Sequence, residues 1–256
     1  MLTTRAAHRI LKADAVMAGL IGAADRYAPD ARVQQTPFEV LARAIAHQQL
    51  HATAANNILN RFVALFESGI FPLPQHVIDA DAARLRAVGF SHAKIAALKD
   101  LAAKALAGIV PDRATLEGLS DEQIIERLTQ VRGIGRWTVE MMLMFHLLRP
   151  DVLPVDDFGV RKGFQLAYGL KGMPKPKALA EFGERWRPYR SIAAWYLWRA
   201  NDLAKQNLLP KCARPPRVEL QPPTRSKSKQ KKKQKRKKKG VGKKVGSSKR
   251  AGRKRK

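Results

Sequence analysis

Leu128-Thr129-Gln130-Val131-Arg132-Gly133-Ile134-Gly135-Arg136-Trp137-Thr138 is the stretch on which the reading of this chain turns. One helix ends near Gln130 and a second begins near Arg136. Between them Gly133 and Gly135 permit a tight turn that leaves backbone amides unshielded at the surface. Amides at a helix N-terminus, reinforced by the helix dipole, attract an anion. A nucleic-acid phosphate fits such a place without any base being read. The same turn also serves as a plain connector between helices; Arg132 and Arg136 beside it favour the phosphate reading.

Outward from this helix-hairpin-helix pattern, which spans about residues 121–148, the chain continues to read as helix. Thr36-Pro37-Phe38-Glu39 has the form of a capping box with proline in the first turn, followed by Phe38, Leu41 and Ile45 at helical spacing. Ala55, Ile58, Leu59, Phe62 and Phe66 form a second stripe. Ser91 is a plausible N-cap for Ile95, Leu98, Leu101 and Leu106; Ser120 with Gln123 opens a helix through Ile124, Ile125 and Leu128; and Met141 to Leu148 is densely apolar. Strand-like alternation is absent. Gly69 to Pro74, Gly108 to Pro111, Arg149 to Pro154 and Gly172 to Pro176 read as loops. The expectation is an all-α globule over residues 1–210 with roughly ten helices in two lobes and a cleft between them.

Of the net charge of +28, the stretch from Lys211 to Lys256 carries +21, with 22 Lys or Arg against the one acid Glu219, so residues 1–210 carry +7. This tail (211–256) has almost nothing to bury and is expected to be disordered. Its blocks Lys231-Lys232-Lys233 and Lys235 to Lys239 attract any polyanion. A direct contact with DNA and a targeting or solubilising extension are equally consistent with that composition. At 27% charged residues and with no apolar run approaching roughly 18–20 residues, the chain has no membrane span. Arg5, Arg9, Lys12 and Asp14 interrupt the apolar start, so no signal peptide is expected. One cysteine, Cys212, supports neither a disulfide nor a structural zinc site.

Asp156 and Asp157 follow in Leu153-Pro154-Val155-Asp156-Asp157-Phe158-Gly159-Val160-Arg161, at the start of a helix whose apolar face is Val160, Phe164 and Tyr168. Ordinary N-capping accounts for an aspartate there. The alternative is a carboxylate poised at the positive end of a helix beside a cation that forms during reaction. Position alone does not decide between them.

Taken together the residues resemble the helix-hairpin-helix, Gly/Pro-rich-loop, Asp (HhH-GPD) superfamily of DNA glycosylases. Three segments are similar to its alkylation-repair branch, the 3-methyladenine DNA glycosylase II type: Ala44-Ile45-Ala46-His47-Gln48-Gln49-Leu50, Gly133 to Thr138 with Trp137 within it, and Arg185 to Ser191 running into Trp195 and Trp198. The resemblance covers about residues 35–205. It implies base excision repair: a damaged nucleotide is flipped out of the duplex and its N-glycosidic bond is hydrolysed. The family's catalytic aspartate falls on Asp157, because Asp-x-x-aliphatic-basic is met by Asp157, Val160 and Arg161, whereas Asp156 would put Gly159 at the aliphatic place.

The resemblance also places His47, Trp137, Met141 and Trp198 around the base, Met141 standing where some relatives carry tyrosine. Trp198 offers a face to a cationic base, a cation–π attraction of roughly 0.5–2 kcal/mol; Trp137 lines the pocket or packs where the hairpin docks. Gln48 and Gln49 face the DNA, with Gln49 the plug for the gap left by the flipped nucleotide. Arg132, Gly133, Ile134, Gly135, Arg136 and Thr138 form the strand-gripping hairpin. Relatives that also cut the backbone carry a lysine two residues after the second glycine; here that residue is Trp137, which implies a monofunctional enzyme without lyase activity. No cofactor or catalytic metal is expected, with a monovalent cation at the hairpin the one ion the resemblance admits. The expected partner is double-stranded DNA containing alkylated bases such as 3-methyladenine, bound by a monomer. The expected location is cytoplasmic and nucleoid-associated in a bacterium, nuclear in a eukaryote. Two other readings stand beside this one: a non-catalytic DNA-binding protein with a histone-like tail, and the same fold acting on deaminated or mismatched bases.

Overall fold

A computed structural model describes residues 4–28, 34–66 and 70–210, which fall within one compact unit. The basic tail 211–256, with Cys212, lies outside the described residues. Those described form α-helices and one 3-10 turn, with no strand among them. In order these are α1 (Thr4–Leu11), α2 (Ala15–Ala23), α3 (Pro37–His47), α4 (Ala52–Ala64), α5 (Pro74–Asp79), α6 (Ala82–Ala87) and α7 (His92–Leu106). After them come α8 (Arg113–Glu117), α9 (Asp121–Leu128), α10 (Arg136–Phe145), α11 (Phe158–Ala167), α12 (Pro176–Gly183), the 3-10 turn Glu184–Trp186 and α13 (Arg190–Lys205).

Thirteen α-helices among the described residues exceed the expected ten because α5, α6 and α8 have only five or six residues each. So few positions leave no apolar period to see. Two of the three starts are nonetheless marked: Asp81 and Asp112 accept from Ala83 N and Thr115 N. The capping box at Ser120 and Gln123 closes both ways. At Thr36 only half forms: its hydroxyl accepts from Glu39 N, while the Glu39 carboxylate turns to Arg43 four residues on. Two further expectations are corrected. Leu106 ends α7 on the exposed side, and α10 stops at Phe145 instead of reaching Leu148, which adopts φ 54° ahead of Arg149-Pro150.

The closest helix pairings fall into two groups. In one, α7 packs on α3, α5 and α6, and α10 on α9 and α3; in the other, α13 packs on α11 and α2. A continuous apolar core runs through both, from Leu11 and Met17 through Leu41, Phe62 and Leu98 to Phe164 and Leu197. Asp14 secures the second group. One carboxylate oxygen caps α2 through Val16 N, and the other accepts from the Tyr168 hydroxyl and from Trp186 Nε1 at 3.3 Å. No helix among the described residues is long and apolar enough to cross a membrane.

The tightest approach is between α11 and α13. A Cβ placed on Gly163 would lie 1.8 Å from the Leu197 carbonyl oxygen and 2.6 Å from its carbon. Backbone cannot yield as a side-chain tip can, so Gly163→Ala is expected to cost at least about 3 kcal/mol, the upper end for overpacking. Gly22→Ala, on the exposed side of α2 with nothing within 4 Å, is expected to stabilise by about 0.5–1 kcal/mol. Urea midpoints of the two variants check the opposite signs.

Candidate active site

Helices α3 and α10 face each other across a cavity of about 630 Å³, within the roughly 300–1,000 Å³ of small-molecule clefts. Helical spacing supplies the walls. From α3 come Val40, Leu41, Ala44 and His47; from α10 come Trp137, Thr138, Met141, Met142 and Phe145. Half-buried Gln48, exposed Gln49 and buried His146 complete the lining. The lining is apolar with a few polar atoms, suited to a flat, partly apolar ring.

Asp157 stands beside this cavity. Its backbone caps α11, and its Oδ1 accepts from Val160 N at 2.7 Å. Capping does not exhaust the carboxylate: Trp198 Nε1 donates to Oδ1 at 2.8 Å and Trp137 Nε1 to Oδ2 at 2.8 Å. Two indoles, one from α10 and one from α13, therefore grip the acid. Of about four lone-pair positions on a carboxylate, these three donors leave one, on Oδ2. Trp137 is 49% exposed and belongs to both places, its ring on the cavity wall and its N–H on the acid. Asp156 is exposed, and no side chain among the described residues binds its carboxylate.

Trp198 departs from its expected place. It does not border the cavity; it is half-buried, stacked on Phe145 with ring centroids 5.9 Å apart at 28°. Its approach to Asp157 depends on Gly159, where a Cβ would lie 2.8 Å from Trp198 Cδ1 and 3.1 Å from Asp157 Oδ1. Gly159 and Phe145 are thus site residues that sequence reasoning passed over. Gly159 could have been noticed as a glycine inside a helical pattern, which usually marks close packing; Phe145 had only its i, i+4, i+8 relation to Trp137 and Met141.

The hairpin forms as its glycines suggest, with one asymmetry. Gly133 needs φ 79°, whereas Gly135 sits at φ −100°, open to any residue. A Cβ on Gly135 would meet nothing within 4 Å, so the space before α10 is left clear. Gly135 has no side chain to cap that helix, and the first intrachain bond of the turn there is Thr138 N to Gly135 O at 3.0 Å. The amides of Arg136 and Trp137 stand ahead of it. Ile134 is corrected as a strand contact: its side chain is buried in the core, leaving only its backbone near the turn, and Ile134 N is bonded to Val131 O. Thr138 is buried against the cavity instead of facing outward from the hairpin.

Arg136 is corrected in a similar way. It donates to both oxygens of Glu122 and, from Nε at 3.1 Å, to buried Glu140. The Arg136 guanidinium holds the Glu122 carboxyl below its usual range, while burial pushes the Glu140 carboxyl up against the pull of Arg136. Arg132 is exposed, and its N–H donates to Asp100 Oδ2 at 2.7 Å. Gln48 is half-buried and donates from Nε2 to Gly133 O at 2.7 Å; Gln49 is exposed at φ 57°. No group of three His, Cys, Asp or Glu side chains among the described residues is arranged to hold a metal.

Comparison with known proteins adds to this geometry. The family model described as HhH-GPD superfamily base excision DNA repair protein matches residues 42–188. DNA-3-methyladenine glycosylase 1 of Schizosaccharomyces pombe is 44% identical over 186 residues, covering 72% of this chain and 82% of that protein. The solved structure of the S. pombe 3-methyladenine DNA glycosylase Mag1 in complex with abasic DNA has TM-score 0.70 and 42% identity, covering 77% of this chain and 97% of that one. A DNA-3-methyladenine glycosidase structure from Bacillus halodurans also has TM-score 0.70, at 33% identity, covering 77% and 89%. The match spans both the hairpin and the gripped aspartate, and this chain belongs to the HhH-GPD superfamily of base excision DNA repair proteins.

Proposed function

We propose that the chain is a DNA glycosylase of the 3-methyladenine type, which flips an alkylated purine from duplex DNA into the cavity between α3 and α10 and hydrolyses its N-glycosidic bond. The observation that carries this reading is the Asp157 carboxylate, held by the Trp137 and Trp198 N–H groups beside that cavity with one lone pair of Oδ2 to spare.

In the proposed reaction the bond between C1′ and the base nitrogen breaks with its electron pair going to the base. A base alkylated on a ring nitrogen already carries positive charge and leaves neutral, so little general-acid help is needed. Asp157 stabilises the positive charge that develops on the sugar and orients water. The water oxygen bonds to C1′, and its proton passes through the carboxylate to solvent. Trp137 supplies a ring on the cavity wall and no amine, so no Schiff base forms and the enzyme is monofunctional. Gln49 fills the gap in the duplex. The exposed Arg132 and the amides that begin α10 grip a strand phosphate.

No cofactor enters this scheme. A monovalent cation at the hairpin takes part in none of these steps. The protein acts as a monomer on double-stranded DNA, with the basic tail adding sequence-independent affinity.

Purified protein is expected to release 3-methyladenine from methylated duplex DNA. Asp157→Asn, still a good N-cap, should lower that release at least about 100-fold and leave DNA affinity within about threefold. Preferential release from hypoxanthine or uracil duplexes would reassign the substrate, and no release from any of them would leave a DNA-binding protein. Trp198→Phe keeps the ring on Phe145 but removes a donor from Oδ1; single-turnover release should fall about tenfold, in line with one hydrogen bond to a charged group. Truncation after Pro210 should weaken duplex binding and flatten its salt dependence by about 0.9 in log–log slope for each phosphate that the tail neutralises. An unchanged slope in a salt titration would show that the tail does not touch DNA.

A further inference from the structure

Two elements face the proposed DNA path, the hairpin and the loop after α3, and both rest on one face of α7. Lys94 Nζ donates to Ala46 O at 2.7 Å, at the end of α3. One turn on, Ala97 Cβ would be 3.6 Å from a Cβ on Gly133. Another turn on, Asp100 Oδ2 accepts from Arg132 N and binds Lys104. Residues 94, 97 and 100 recur at the spacing of a single helix face.

A third link joins the two elements directly. Gln48 Nε2 donates to Gly133 O at 2.7 Å, across 85 residues of sequence. A carbonyl accepts only from the NH₂ end of the amide, so the orientation of that amide is dictated by its partner. The Gln48 backbone is fixed as well, its N–H donating to Ala44 O at 3.2 Å. With Gln48 held at both ends, the chain turns at Gln49 in the left-handed region and closes through Leu50 N to His47 O at 3.2 Å. Gln49 and Leu50 are left exposed beyond the turn.

We propose that Gln48 is a positioning residue, a strut that couples the phosphate grip of the hairpin to the placement of Gln49 in the duplex. One of its two amide N–H donors is committed to Gly133, and the strut does not depend on Gln48 touching DNA. This inference rests on the glycosylase reading above and on Gln49 as the plug. Tightening of the hairpin on a strand sets the position of Gly133 O, and through Gln48 the position of the residue that fills the gap.

The test uses the full chain, a duplex carrying one methylated purine beside 2-aminopurine, and the same duplex without the lesion. Gln48→Met keeps the length and removes the donor. It should lower single-turnover release about tenfold and reduce the 2-aminopurine fluorescence rise, while affinity for undamaged duplex stays within about twofold. Gln48→Lys, which restores a donor of similar reach, should recover most of the rate and guards against a folding defect in the methionine variant. Adding Gln49→Ala to Gln48→Met should cost less than twofold further, although Gln49→Ala alone is costly. Equal loss of undamaged-duplex binding, unchanged release, full additivity, or a Gln49→Ala variant with normal release overturns the strut. Unmutated protein is the control: if it releases no base the glycosylase reading fails, whereas release that Gln48→Met leaves untouched defeats the strut alone.

Discussion

Backbone of α13 occupies the space where a side chain at position 163 would be, and that contact governs much of what surrounds Asp157. Because α11 meets α13 without a Cβ at 163 or at 159, Trp198 comes over the first turn of α11 and its N–H reaches the aspartate that caps it. Had the helices stood a side chain farther apart, the indole would sit beyond hydrogen-bond reach and one carboxylate oxygen would lose a donor. Fold and chemistry meet there: a packing requirement of two small residues becomes the orientation of an acid.

The opposite side of the carboxylate is set by a different element. Trp137 follows the hairpin on the first turn of α10, so the residue that positions Asp157 Oδ2 moves with the turn proposed to hold phosphate. A protein that grips a strand and an acid through adjacent residues of one helix fixes the distance between them. This is the kind of preorganisation that lets binding place the reacting atom. Arg136, between those two tasks, is turned to Glu122 and Glu140, so the hairpin offers backbone dipoles and Arg132 more than a block of positive charge.

Much of this was legible in the residues. Thr36, Ser91 and Ser120 announced their helices through the hydroxyl each offers to the third amide onward, and Val160, Phe164 and Tyr168 marked the inward face of α11 before Asp157 could be placed at its start. The glycine turn and the choice of Asp157 over Asp156 likewise came from local pattern. What stayed hidden depends on neighbours far away in sequence. The stacking of Trp198 on Phe145 joins α13 to α10, the Gln48 bond to Gly133 spans two elements, and the capture of Arg136 by Glu122 needs the angle between α9 and α10. Residue types at those positions were compatible with several partners, and only tertiary packing selected among them. Ile134 shows the same limit from the other side: within a turn that faces outward, its side chain points into the core.

The buried attachment of Asp14 bears on where this enzyme family's unit begins in the present chain. The matched region starts at residue 42, yet a carboxylate 28 residues earlier receives Tyr168 and Trp186 from the far end of that region and caps a helix packed on α13. A fragment beginning at residue 42 would expose the apolar side of α13 and take Asp14 away from the buried Trp186 N–H and Tyr168 hydroxyl, at about 1–3 kcal/mol for a buried donor left unsatisfied. The opening helices are therefore part of the scaffold beneath Asp157, and an autonomous folding unit in this protein has to include them.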